Sequence, residues 1–185
     1  MNITETMIFI PLTTILGIAV ICDIRAERIP NWLTLPSMVL SMTFYTVANG
    51  LEGFLFSFGG VCTGIAVLAA PYLLGGTGAG DAKLMGAVGG ILGPKGVFVA
   101  FLATALVGGL YSLILHAFKG SLKETLQRYW MSLKITMLSR KCTYIPPRDQ
   151  GTMPKLKYAI AICLGTLGSF LPGNFHEILG KLQIL

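Results

Sequence analysis

Long stretches without a single Asp, Glu, Lys or Arg constrain this chain more than any other feature. Such runs cover about residues 7–22, 32–48, 54–74 and 97–118. About 20 consecutive apolar residues are what an α-helix needs to cross a bilayer. In lipid every backbone N–H and C=O must be satisfied within the segment, so runs of this kind fold as helices. Only 12% of residues are charged, 54% are hydrophobic and the mean hydropathy is +0.73, against about a quarter charged in an ordinary soluble domain. The expected fold class is therefore all-α, a polytopic membrane protein. Its 185 residues suit one transmembrane domain, 1–185, with no second large domain.

Two shorter apolar runs, about 82–92 and 158–171, bring the expected number of transmembrane helices to six. The first is short, roughly 17 Å of helix against about 30 Å of hydrocarbon, and a re-entrant segment is the alternative. Charge favours six crossings. With the N-terminus outside, twelve of the fourteen basic residues fall on the cytoplasmic side and only Lys95 and Lys181 outside, as the positive-inside tendency requires. This placement explains the net charge of +6 by topology, so no nucleic-acid partner is expected. The N-terminus lacks the basic region of a cleaved signal, and the first run is read as a retained span.

Turns are expected at Asn49–Gly53 and at Pro94-Lys95-Gly96, and glycines recur at small-xxx-small spacing: Gly60 and Gly64, Gly86 and Gly90, Gly89 and Gly93. That spacing lets helix backbones pack closely in a membrane. Cys22, Cys62, Cys142 and Cys163 form no CxxC pair and read as small buried hydrophobes. Between residues 119 and 157, Leu122, Leu126, Tyr129, Trp130, Leu133 and Met137 share a helical face opposite Lys123, Arg128 and Lys134. This segment is expected to be a basic amphipathic helix on the inner leaflet, followed by a proline-broken loop.

Asp23 follows the first apolar run, and Asp81 ends the glycine-rich bend Gly75-Gly76-Thr77-Gly78-Ala79-Gly80-Asp81. Ionisable groups at membrane depth mark functional sites by default. Asp23 could simply end a helix beside Arg25 or Arg28, and Asp81 could cap the next helix, although a cap leaves Gly78 and Gly80 unexplained. A phosphate-binding loop is excluded, because no GxxxxGK[ST] or strand-led GxGxxG is present.

Gly78-Ala79-Gly80-Asp81, extended through Lys83 and Leu84, resembles the Gly-x-Gly-Asp-x-Lys-Leu motif of the type IV prepilin peptidases, which are GxGD intramembrane aspartic proteases. Asp23, six residues before Ile29-Pro30-Asn31 and followed by Leu33-Thr34, is similar to the first-aspartate motif of that family. The resemblance implies an endopeptidase in the cell's inner (cytoplasmic) membrane. It would cut prepilin or pseudopilin leaders at the cytoplasmic face, with Asp23 and Asp81 as a catalytic dyad. Gly78, Gly80, Lys83, Pro30 and Asn31 would support that dyad. Lys83 itself reads first as an interfacial lysine with its ammonium in water, with orienting the bend or meeting an acidic group of the substrate as the alternatives. No metal and no cofactor are expected, and a homodimer is compatible with this reading. Many relatives carry a cytoplasmic CxxC-containing insertion and N-methylate the trimmed pilin. The first span here starts almost at Met1 and no CxxC exists, which resembles the short branch of tight-adherence pilus systems, so methyltransferase activity is expected to be absent. The main alternative is a proton-coupled transporter or channel subunit using the same two aspartates, although no inverted repeat of the kind common in transporters is visible.

Overall fold

The computed structural model describes residues 3–73, 77–118 and 158–169. Residues 3–73, 77–107 and 158–169 belong to one compact unit, and residues 108–118 to a second. The described residues form four helices and no strand: α1 (Ile3–Ala26), α2 (Asn31–Leu73), α3 (Ala79–Phe118) and α4 (Tyr158–Gly168). Three of them contain stretches long and apolar enough to cross a membrane, Ile8–Ala26, Asn31–Leu73 and Ala79–Tyr111. The expected amphipathic helix at 119–157 lies outside the described residues.

At 43 residues, a straight α2 would measure about 65 Å, twice a hydrocarbon core. It is not straight. Gly50 takes φ 63°, ψ −138°, a region open almost only to glycine, and the chain folds back there. Ser41 and Ser57 come within 3.5 Å, whereas residues sixteen apart on a straight helix would be separated by about 24 Å. The rings of Tyr45 and Phe56 pack at 5.1 Å. The turn expected at Asn49–Gly53 is thus a single-residue break. A second break divides α3 at Gly93 (φ 71°, ψ 178°), one residue before the expected Pro-Lys-Gly turn.

The second break has a polar consequence. Pro94 has no N–H, so the carbonyl four residues earlier, on Gly90, loses its helical donor. The Ser57 hydroxyl donates to that oxygen at 2.8 Å, and the Tyr45 hydroxyl donates to the next carbonyl, Ile91, at 2.8 Å. Both arms of α2 therefore supply donors to the broken helix. In lipid such donors stand in for water that is not there.

The glycines at four-residue spacing act as the sequence suggests. A Cβ on Gly60 would run into the Gly89 carbonyl, and one on Gly89 into the Gly60 carbonyl; at Gly64 it would meet the Met85 carbonyl. The second arm of α2 and the first arm of α3 are in backbone contact. Around them Leu12, Leu16 and Ala19 of α1, Leu68 of α2, Leu84, Met85 and Val88 of α3, and Ile162 of α4 form one buried cluster. On α4, Gly165 admits the backbone of Thr104 in the same way. Cys22 and Cys163 are half-buried and Cys62 is exposed, all three as free thiols, which corrects the expectation of buried cysteines. Cys62 projects away from the glycine face that α3 occupies.

Ser57→Ala leaves the Gly90 carbonyl without its donor. A loss of about 0.6–2 kcal/mol is expected, read as a lowered unfolding midpoint in detergent micelles, while Cys62→Ala shifts it far less.

Candidate active site

Asp23 belongs to a helix and not to a loop. The sequence suggested a span ending at Cys22, but α1 continues to Ala26. It closes with the Glu27 N–H donating to the Asp23 carbonyl at 3.1 Å and Glu27 at φ 51°, a left-handed C-terminal stop. Leu12, Leu16, Ala19 and Asp23 are all buried. Their spacing of four, three and four residues is that of one helix face, so the carboxylate extends the row of side chains that builds the core. Asp23 is 9% exposed.

Asp81 is also helical, in the first turn of α3, so the bend expected to reach Asp81 ends before Ala79. The Gly78 carbonyl accepts the N–H of Asp81 at 3.1 Å, and the Gly78 N–H donates to Asp81 Oδ2 at 2.9 Å. This is one half of a capping box, with the acid at the third helical position. The capping role weighed from sequence is therefore real, and the structure supplies what it left unexplained. A Cβ on Gly78 would stand 3.2 Å from Asp81 Oδ2, and one on Gly80 would stand 3.1 Å from the Ile29 Cβ. Gly78 leaves room for the carboxylate, and Gly80 leaves room for the turn after α1. Asp81, Leu84, Val88 and Leu92 fall on one face of α3, and the last three are buried.

The two acids thus occupy the C-terminal turn of one helix and the N-terminal turn of another, helix ends of opposite polarity. The turn after α1 links their surroundings: its Glu27 N–H bonds the Asp23 carbonyl at 3.1 Å, and its Ile29 packs over Gly80, the residue before Asp81. Ile29, in the turn between α1 and α2, and Asn31, the first residue of α2, both meet α3. Ile29 packs over Gly80, and Lys83 Nζ donates to Asn31 Oδ1 at 2.9 Å. That bond lies at the surface, where an interfacial lysine is expected, and it gives the ammonium a partner on Asn31. Pro30 supplies the carbonyl that accepts the Leu33 N–H at 3.2 Å, opening α2.

Sequence reasoning overlooked Tyr158. It opens α4, packs half-buried against the main cluster, and its hydroxyl feels the charge of Asp81. The signal was a tyrosine heading an otherwise apolar run, which was counted only as the edge of a span.

A helical membrane protein with one acid in the last turn of its first helix and another in the first turn of its third is the class that fold and site define. The chain belongs to the type IV leader peptidase family, whose model matches residues 10–113, a range that contains Asp23, the Ile29-Pro30-Asn31 turn and Asp81. No curated protein and no solved structure matches it. Membership makes the chain a protease of the leader-peptidase type.

Gly80→Val pushes the Ile29 turn away from α3. A destabilisation of about 1–3 kcal/mol is expected, and Ile29→Ala in the same chain should recover part of it, measured by denaturation in micelles.

Proposed function

We propose that this protein is a membrane aspartic endopeptidase that removes the leader of type IV prepilins or pseudopilins, with Asp23 and Asp81 as its catalytic dyad. The observation that carries the reading is that both acids continue buried helix faces and that the turn after Asp23 packs over Gly80, next to Asp81. Two carboxylates brought close together resist ionising at once and share a proton. The ionised one takes a proton from a water whose oxygen attacks the scissile carbonyl carbon. The protonated one donates to the carbonyl oxygen, and collapse of the tetrahedral intermediate returns a proton to the leaving amine.

The helix breaks at Gly50 and Gly93 favour six crossings over three. The first arm of α3, at about 21 Å, and α4, at about 16 Å, are shorter than the hydrocarbon core, and local thinning or flanking residues accommodate such a mismatch. With the N-terminus outside, the basic residues concentrate on the inner side, and both aspartates face the cytoplasm, where a prepilin leader lies. Cleavage without N-methylation is the expected activity, since the sequence contains no CxxC pair.

Asp23→Asn and Asp81→Asn should each reduce leader release by at least about 10³-fold with membrane insertion unchanged, since Asn keeps the volume but cannot trade protons. Mass spectrometry of the trimmed pilin reads both the cut and any added methyl group. Undiminished cleavage by either variant removes the dyad, and a methylated product removes the peptidase-only assignment. Single cysteines at Gln150 and at Gly96 should be labelled by a membrane-impermeant thiol reagent from the cytoplasmic and the outer side respectively. Labelling of both from one side contradicts six crossings.

A further inference from the structure

We infer that Asn31 and Lys83 are positioning residues: their hydrogen bond ties the turn after α1 to the first turn of α3 and so fixes the separation of Asp23 and Asp81. The inference rests on the peptidase reading for its effect on turnover, but not for the bond itself.

The turn from Glu27 to Pro30 has few places to flex. Glu27 closes α1 in the left-handed region, and Pro30 holds its own φ near −65° and starts α2 through its carbonyl. This stiff turn touches α3 at two points. One is apolar, the Ile29 side chain over Gly80. The other is polar, Lys83 Nζ to Asn31 Oδ1 at 2.9 Å. The apolar contact sets how near the turn can come, but a branched side chain over a glycine can still slide. A directional bond from two residues beyond Asp81 stops that sliding. Lys83 is half-buried and Asn31 exposed, so the bond lies at the surface of the packed region.

A lysine that instead met an acidic group on the substrate would behave differently. It would change KM, and Asn31 would be indifferent. A positioning bond acts on the spacing of the reacting groups, where a displacement of about 1 Å can lower the rate on the order of 10²-fold.

The test is a cycle of Lys83→Met, Asn31→Leu and the double variant in purified full-length protein, with a synthetic prepilin leader as substrate. Each single change should lower kcat roughly 10- to 100-fold with KM within about threefold. The double variant should be no slower than the worse single one, because both remove one bond. Lys83→Arg, which keeps a donor, should recover most of the turnover. A raised KM confined to Lys83→Met, or losses that multiply in the double variant, would overturn the inference. The same cycle is read without substrate as Tm in micelles, where the two single shifts should fail to add. If the unaltered protein cleaves no leader, the peptidase reading falls, yet non-additive Tm shifts still support the tie and additive shifts still refute it.

Discussion

Backbone-to-backbone contact between the second arm of α2 and the first arm of α3 is the constraint on which the rest depends. Gly60 against Gly89 and Gly64 against Met85 leave no space for a Cβ. Lipid tails are as apolar as leucine, so burial of apolar surface does not hold these helices together; close packing and interhelical hydrogen bonds do. Because the arms approach so closely, Ser57 and Tyr45 reach the carbonyls near Pro94. The break at Gly93 then leaves neither oxygen unsatisfied in a medium with no water to replace the lost donor.

The same economy of space shapes the site. Gly78 and Gly80 have distinct tasks, one admitting the Asp81 carboxylate and the other admitting Ile29. The cap at Asp81 fixes the start of α3, the left-handed stop at Glu27 fixes the end of α1, and the Lys83–Asn31 bond joins them. A charge at the C-terminal turn of α1 gains nothing from its own helix, and Asp23 is buried there all the same.

Much of this was legible in the sequence, for a physical reason. Charge-free runs and glycine or proline punctuation determine where helices in lipid begin, bend and end, and the turns expected near Asn49 and Pro94 match breaks at Gly50 and Gly93. Both aspartates and their flanking motifs stood out because charge is scarce. What the sequence hid was orientation. On a helix that is apolar all round, the periodicity of hydrophobic residues cannot separate the face toward lipid from the face toward protein. That Leu12, Leu16 and Ala19 lead to Asp23 was therefore visible only as spacing, without a reason to choose that face. The extra turn of α1 past Cys22 and the early start of α3 were missed because charged and glycine residues normally argue for a helix end. Here Asp81 builds the end itself. The partner of Lys83 was out of reach as well, since Asn31 lies 52 residues away and no local pattern links them.

Activation of a water by two carboxylates, without a covalent enzyme intermediate, is what the site would perform. Single-turnover cleavage of a prepilin leader in ¹⁸O-labelled water containing hydroxylamine tests it most directly. The dyad predicts one ¹⁸O atom in the new carboxylate of the released leader and no hydroxamate. A leader hydroxamate formed in step with cleavage would reveal an acyl-enzyme on a serine, threonine or cysteine, and would contradict the assignment of the chemistry to Asp23 and Asp81.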